Sequence, residues 1–248
     1  MDYKYCFNRS VVLVVLLGCF LSLTCSSTPD NTDNNLSELD KIINRIIDKT
    51  GGENAIMSVK NLDINGTFFI YTKTGVEDVP MRMVFYYPDK VLMKYQTGAA
   101  DIISVINGTK SRLRAFSMDE PLPEQDVLEM KHRLMQNVIW VVQNYKNGII
   151  DIKQNGSDQT GNQTELSFTF EEIPVKMVVN SKTWLPEQYI ITENNIINRL
   201  ILSDYRDVKG LNLPFGYESQ VNGRIVSKVA IDKIDYNREL DPALFEIK

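Results

Sequence analysis

Short strand-like segments that alternate with turn residues are the feature of this sequence that most limits its fold. Four runs rich in Val, Ile, Phe, Tyr and Thr follow one another between Lys60 and Phe116, and seven more follow over 149–236. Runs of this length bounded by Gly, Pro, Asn and Asp indicate β-strands. Asn-Gly pairs at 107–108, 155–156 and 222–223 indicate hairpin turns, because both central residues of a type I′ turn need positive φ. We therefore expect about ten antiparallel strands.

Helical periodicity is confined to a few places. Ser37 is a suitable cap for a helix that ends at Gly51-Gly52, and a short turn follows over 53–59. Glu124–Lys146 is predicted to be the longest helix, and Asp241-Pro242 to start a last helical turn. So much strand with so little helical alternation excludes a doubly wound fold. We predict a single mainly β domain with helices (α+β) over 37–248, in which a curved antiparallel sheet closes on the inserted helices.

The N-terminus resembles an export signal. Lys4 and Arg9 precede an apolar run, Val11–Thr24, that is too short to span a bilayer comfortably. Leu16-Leu17-Gly18 resembles the bacterial lipobox, so we predict a signal peptide over 1–18 and lipidation of Cys19. The alternatives are lipidation of Cys25, ordinary cleavage near Ser26, and an uncleaved anchor. The polar stretch that follows has no periodicity, so 19–36 is predicted to be a lipidated N-terminus and disordered tether.

Few residues in the predicted domain suit catalysis or metal binding. The three cysteines, Cys6, Cys19 and Cys25, all precede it, which excludes disulfides and thiolate chemistry there. His132 is the only histidine, and no Gly-x-Ser-x-Gly motif accompanies it, so we interpret it as a solvated helix residue. We predict no catalytic residue, no metal site and no cofactor. A net charge of −5 without a basic cluster also argues against nucleic acid as a partner.

Methionine and aromatic residues share faces of two consecutive strands. Strand alternation puts these apolar residues on one side of the sheet: Met81, Met83, Phe85, Tyr87, Val91, Met93 and Tyr95. Methionine is flexible and suits surfaces that fit variable apolar shapes. These residues are candidates for the lining of a lipid cavity, and an ordinary hydrophobic core is the alternative. Trp140 projects from another side of the long helix and is either a lid or partner contact or packed against a loop.

The arrangement of these segments is similar to a known family. A helix ending at Gly51-Gly52, the passage Tyr87-Pro88-Asp89-Lys90, the Asn107-Gly108 hairpin, a mid-chain helix and further strands resemble the bacterial outer-membrane lipoprotein-sorting (LolA/LolB-like) superfamily. Trp184-Leu185-Pro186, Ser203-Asp204-Tyr205-Arg206 and Gly210-Leu211-Asn212-Leu213-Pro214 resemble its paired C-terminal strands. The resemblance implies an unclosed, strongly curved barrel whose mouth is plugged by helices around a cavity for acyl chains.

The sequence departs from that family at one informative position. The resemblance implies an arginine directly before the proline of the early meander, where it holds the lid closed in the soluble carrier, but this chain has Tyr87 there. We therefore expect no arginine latch. The function expected from these features is a membrane-anchored envelope protein, facing the periplasm or the cell exterior, that binds lipid or lipoprotein acyl chains. A non-catalytic scaffold that uses Trp140 or a strand edge as its contact is the alternative, and a hydrolase using His132 is a third.

Overall fold

A computed structural model describes residues 36–98 and 100–247. The predicted signal peptide, the tether and Cys19 lie outside these residues. The helices are α1 (Glu38–Thr50), α2 (Glu53–Ser58), α3 (Glu124–Met135), α4 (Val138–Lys146) and a C-terminal 3-10 helix (Pro242–Phe245). The strands are β1 (Asn61–Tyr71), β2 (Val76–Tyr86), β3 (Lys90–Gln96), β4 (Asp101–Asn107), β5 (Lys110–Ala115), β6 (Met118–Glu120), β7 (Lys153–Ser157), β8 (Gln163–Phe170), β9 (Ile173–Asn180), β10 (Pro186–Glu193), β11 (Ile196–Val208), β12 (Leu211–Val221) and β13 (Arg224–Tyr236).

The strands form one antiparallel 13-stranded sheet in the order β6-β5-β4-β3-β2-β1-β13-β12-β11-β10-β9-β8-β7. Two meanders, β1–β6 and β7–β13, are thus joined where the first strand pairs with the last. The sheet is curled and not closed, which confirms the predicted mainly β, unclosed fold with helices on the concave side. The prediction of about ten strands was too low. The short edge strand β6 was missed because it carries no alternating apolar pattern, whereas the other edge strand, β7, overlaps the first predicted run after residue 149.

Helix α1 begins and ends where the sequence indicated. The Ser37 side chain accepts a hydrogen bond from the Asp40 backbone, and the Asp40 carboxylate accepts one from the Ser37 backbone N–H, which forms a capping box. At the other end Gly51 has a φ of 139°. A Cβ there would lie 2.4 Å from the carbonyl oxygen of Gly210, so the close approach of α1 to the β11–β12 turn requires glycine.

The predicted long helix over 124–146 is two helices, so that prediction was wrong in its middle. The chain leaves helical geometry at Asn137, whose side-chain oxygen accepts from the Ile139 backbone and caps α4. Asparagine competes with helical hydrogen bonds in this way and favours caps over helix interiors. The break separates α3, which covers one part of the sheet, from α4.

The three Asn-Gly pairs, all predicted to be hairpin turns, adopt different conformations. Asn222-Gly223 forms the predicted two-residue turn, with positive φ at both residues. The hairpin at Asn107-Gly108 also forms, but Asn107 pairs with Lys110 and only Gly108 has positive φ, so the turn lies one residue later than predicted. Asn155-Gly156 is not a turn. It is a bulge inside β7, and the hairpin loop follows over 158–162.

Two hydrophobic clusters cover opposite faces of the sheet. The main one contains the buried faces of all four α-helices and most strands. The smaller one lies on the convex face and is formed by Val84, Leu92, Val105 and Phe245. The predicted last turn exists as the 3-10 helix, capped by Asp241, and brings Phe245 to this second cluster. The α-helices therefore pack against the concave face, and their positions determine how much of it is covered.

Candidate functional site

The predicted lining residues lie together on the concave face. Across β2 and β3, Met81 pairs with Tyr95, Met83 with Met93, and Phe85 with Val91. Tyr87 follows on the same face and is also buried, in the main cluster. Cross-strand pairs on one face are in direct contact distance. The alternation in the sequence therefore identified a real, continuous apolar surface of two strands.

This surface encloses a small cavity beneath α3. The cavity has a volume of about 30 Å³, and small-molecule sites are typically about 300–1,000 Å³. Met81, Met83, Phe85 and Met93 line it, whereas Tyr87, Val91 and Tyr95 pack beside it without lining it. In this state the concave face is covered by the protein's own side chains.

Sequence reasoning missed the other half of the cavity wall. These residues come from β1, from the second meander and from the break after α3: Phe68, Leu200, Tyr217, Val229, Arg133, Gln136 and Asn137. Leu200 and Tyr217 lie in strands whose alternation was visible, but nothing in the sequence indicated which strands would face β2 and β3. The pairing of β1 with β13 brings the two meanders together around the cavity.

Polar contacts hold the junction of α3 and α4 against the end of β2. The Tyr87 hydroxyl donates to Asn137 Oδ1 at 3.1 Å. At the next residue, the Pro88 carbonyl accepts a hydrogen bond from Trp140 Nε1 at 3.0 Å. Burial raises the pKa of the Tyr87 hydroxyl well above its ordinary value, so it stays neutral and can donate. A tyrosine thus occupies the place where the family resemblance implies an arginine latch.

Trp140 is not a surface residue. Its side chain is 1% exposed and packs against Phe168 and Phe170, with ring centroids at 6.3 and 4.9 Å. The structure therefore contradicts Trp140 as a partner contact and supports packing. It fixes α4 to the sheet.

His132 is buried, so its interpretation as a solvated helix residue was wrong. It is 7% exposed, and its Nε2 lies 3.1 Å from Glu193 Oε2 at the end of β10. The nitrogen is not aligned for a regular hydrogen bond with that carboxylate or with any other group in the described part of the chain. Burial lowers the pKa of His132, the Glu193 carboxylate opposes that shift, and the Arg133 guanidinium adds to it.

A second, polar cavity of about 120 Å³ lies between α3 and the strands β11 and β12. His132, Arg133 and Gln136 line it from the helix, and Asn198 and Ser219 line it from the strands. Arg133 and Gln136 line the apolar cavity as well, so the two cavities are neighbours. Arg133 donates to Ser219 Oγ at 3.1 Å.

Residues 36–98 and 100–247 contain neither a metal-ligating cluster nor a membrane-spanning helix. No group of three or more His, Cys, Asp or Glu side chains there is arranged to hold a metal ion. None of the helices in these ranges combines the length and hydrophobicity needed to cross a bilayer.

Comparison with known structures identifies the fold. An outer membrane lipoprotein-sorting protein domain from Vibrio parahaemolyticus is similar over 83% of this chain and 96% of its own, with a TM-score of 0.59 and 8% identity. A LolA superfamily protein from Nitrosomonas europaea is similar over 84% and 97%, with a TM-score of 0.59 and 11% identity. A DUF1329 family protein from Desulfovibrio piger is similar over 85% and 98%, with a TM-score of 0.60 and 11% identity.

These likenesses confirm the predicted LolA-like fold. At the level of sequence, no protein family profile and no curated protein matches the chain.

Proposed function

We propose that this chain is a non-enzymatic binder of lipid or lipoprotein acyl chains, anchored to a membrane of a bacterial cell envelope through its N-terminus. One observation carries the proposal: the concave face of an unclosed sheet presents methionine and aromatic side chains to a separate covering helix, α3. The fold shared with a LolA superfamily protein and a lipoprotein-sorting domain supports this class of ligand. No cofactor or nucleic acid takes part.

An acyl chain has to displace α3 in order to bind. The closed cavity of about 30 Å³ holds no more than a water-sized group. Burial of hydrocarbon contributes about 0.8 kcal/mol per methylene, so a dozen methylenes supply on the order of 10 kcal/mol before ordering costs. The chain would replace the apolar side chains of α3 on the sheet, which limits the net cost of moving the helix.

Helix α3 is less firmly attached than α4. It buries Met130, His132, Leu134 and Met135, and its N-cap residue Pro123 makes no side-chain capping hydrogen bond. Helix α4 buries six residues, including Trp140, and is capped by Asn137. Elements with fewer buried contacts open at lower free energy. We therefore assign α3 as the moving cover and Asn137 as the end of the fixed part.

The anchor is proposed from the lipobox-like segment before Cys19, which lies outside the described residues. A single acyl chain binds membranes weakly, whereas the multiple chains of a bacterial lipoprotein hold it stably. An anchored binder would face the periplasm or the cell exterior. This placement keeps the cavity close to the membrane from which its ligands come.

A second candidate, an interaction scaffold on the same fold, is favoured by exposed surface. Every residue of the edge strands β6 and β7 is exposed. Three hairpins, β1–β2, β10–β11 and β12–β13, also carry pairs of exposed apolar residues near their turns: Tyr71 and Val76, Ile196 and Ile197, Ile225 and Val226. Trp140 no longer belongs to this alternative, because it is buried.

Native mass spectrometry of the full-length protein extracted from membranes distinguishes the candidates. We expect the wild type to carry acyl lipid and Met83→Trp, which fills the cavity, to lose it. Val76→Trp is the matched control, because it makes the same kind of enlargement on an exposed strand end. Overpacking costs about 1–3 kcal/mol, so folding of Met83→Trp is checked by circular dichroism. A wild type without lipid that crosslinks to one protein partner would instead support the scaffold.

A further inference from the structure

The polar cavity beside the apolar one contains a buried polar atom that makes no regular hydrogen bond. His132 Nε2 is buried without a regular hydrogen-bond partner within the described ranges. The Gln136 side chain is 7% exposed and lines the same cavity. Buried polar groups in proteins are nearly always satisfied, and each exception calls for an explanation. The imidazole of His132 and the amide of Gln136 make this cavity wall polar, which suits a polar ligand.

Arg133 indicates that this ligand is negatively charged. Its guanidinium makes a single hydrogen bond, to Ser219 Oγ, and forms no ion pair with any carboxylate in the part of the chain that the structure describes. It lies close enough to the buried hydroxyls of Tyr95 and Tyr217 to oppose the rise in pKa that burial causes in both. A cation partly removed from water needs an anionic partner to offset its lost hydration. The planar guanidinium suits an oxyanion in particular.

The remaining charges near the cavity place the anion on the Arg133 side. Arg199, from β11, is a second cation that lines this cavity, but it does not line the apolar one. Glu193 contacts His132, and Glu129 lines the outer wall from the preceding turn of α3. Both carboxylates would repel an anion at the outer end. Arg133 and Gln136 instead face inward and line both cavities. An anion on Arg133 therefore lies directly at the boundary with the methionine-lined surface.

We infer that the polar cavity binds the oxyanion head group, carboxylate or phosphate, of an amphiphile whose hydrocarbon chain occupies the apolar cavity. This inference rests on the proposed function and adds a preferred head group to it. The head group pairs with Arg133 and accepts a hydrogen bond from the Gln136 amide. Ser219 positions the guanidinium from the opposite strand. An uncharged lipid of equal chain length would leave Arg133 unpaired, so it binds more weakly.

The test compares ligands that share a chain and differ in head group. Delipidated full-length protein is titrated with palmitate, with hexadecanol and with lysophosphatidylglycerol of the same chain length, and bound species are quantified by native mass spectrometry. Charge-assisted hydrogen bonds predict that the wild type prefers the anionic ligands by about tenfold or more. Whichever of palmitate and lysophosphatidylglycerol binds more tightly identifies the head group as carboxylate or phosphate.

Two arginine variants localise the effect. Arg133→Gln should bind hexadecanol like the wild type and lose the preference for anionic ligands. Arg224→Gln is the matched control, because Arg224 is the exposed first residue of β13 and makes no ion pair within the described ranges. It should keep the full preference. The wild-type comparison needs no variant, so it stands even if Arg133→Gln fails to fold.

The outcomes separate this inference from the proposed function. Equal wild-type affinity for palmitate and hexadecanol overturns the head-group site while leaving acyl-chain binding intact. No binding of any of these ligands overturns both. Inorganic phosphate is titrated as a chain-free probe, and if it competes as strongly as lysophosphatidylglycerol binds, the site recognises small anions and the head-group inference is wrong.

Discussion

The Tyr87 hydroxyl donates a hydrogen bond of 3.1 Å to Asn137 Oδ1, which ties the end of β2 to the break between α3 and α4. The same oxygen accepts from the Ile139 backbone at 2.9 Å and caps α4. Position 87 thus makes a neutral contact where the family resemblance implies an arginine. The proposed opening of α3 would therefore break no ion pair at this point.

Tyr87→Phe removes the hydroxyl donor while leaving the ring in place. We expect a loss of about 1 kcal/mol in the free energy of unfolding, since a typical hydrogen bond contributes that much. Amide hydrogen exchange in α3 and around the break should become faster, which hydrogen-exchange mass spectrometry measures. Tyr86→Phe is the control, because the Tyr86 ring lies on the opposite face against Phe245. Equal exchange in the two variants would contradict a role of Tyr87 in holding the cover.

Acidification should weaken the packing of α3 through His132. Burial lowers the pKa of His132 below its usual 6.5 despite the neighbouring Glu193, and Arg133 adds to the effect. The unfolded chain therefore binds a proton at a pH where the folded protein does not, and the free energy of unfolding falls as pH drops below 6.5. Urea denaturation of the wild type and His132→Gln across this range measures the difference. A pH dependence that is identical in both proteins would contradict this assignment.

The sequence predicted the strands and their buried faces better than it predicted which strands lie next to each other. Alternation correctly grouped Met81, Met83 and Phe85, because this face of β2 is buried at all three residues. It could not reveal that Leu200 and Tyr217 complete the cavity, since that contact depends on the pairing of β1 with β13, far apart in sequence.

The main errors in the predictions from sequence concerned polar residues. His132 has neighbours, Lys131 and Arg133, that suggest a solvated face, yet Glu193 meets it inside the structure. Asn137 was treated as an ordinary helix residue, although its side chain is the cap that divides the helix. Both outcomes depend on tertiary contacts or local hydrogen bonds that hydrophobic periodicity does not report.

Met83→Ala should enlarge the cavity and destabilise the fold. Truncation of a buried methionine costs about 2–5 kcal/mol, because the surroundings do not fully collapse into the space. Met57→Ala, at a residue 37% exposed, is the control and should cost much less. Thermal denaturation monitored by circular dichroism compares them. Similar losses in both variants would show that Met83 is not part of a packed wall.

Gly66→Ala should destabilise the junction of the two meanders. Gly66 lies at a bulge in the β1–β13 ladder, and a Cβ there would lie 2.3 Å from the Ala230 carbonyl oxygen. We expect a loss of more than about 1 kcal/mol, because backbone must shift to accommodate the methyl group. Gly98→Ala meets no atom within 4 Å and serves as the control. Denaturant titration measures both, and an unchanged midpoint for Gly66→Ala would contradict the close approach.

Cys19→Ser should release the protein from membranes if Cys19 carries the lipid. Metabolic labelling with an alkyne fatty acid, followed by fractionation, should show labelled membrane protein for the wild type and unlabelled protein for Cys19→Ser. Cys25→Ser is the control and should label normally. Loss of label in Cys25→Ser alone would move the modification to that residue.

The pairing of β1 with β13 also governs when the protein can become complete. A nascent chain is made from its N-terminus onward. Strand β1 can therefore pair with β2 early, but its second partner, β13, is synthesised much later. Such distant pairing slows folding, and the oily side of the first meander stays uncovered meanwhile. The folding polypeptide therefore keeps one edge of β1 unpaired until β13 reaches it.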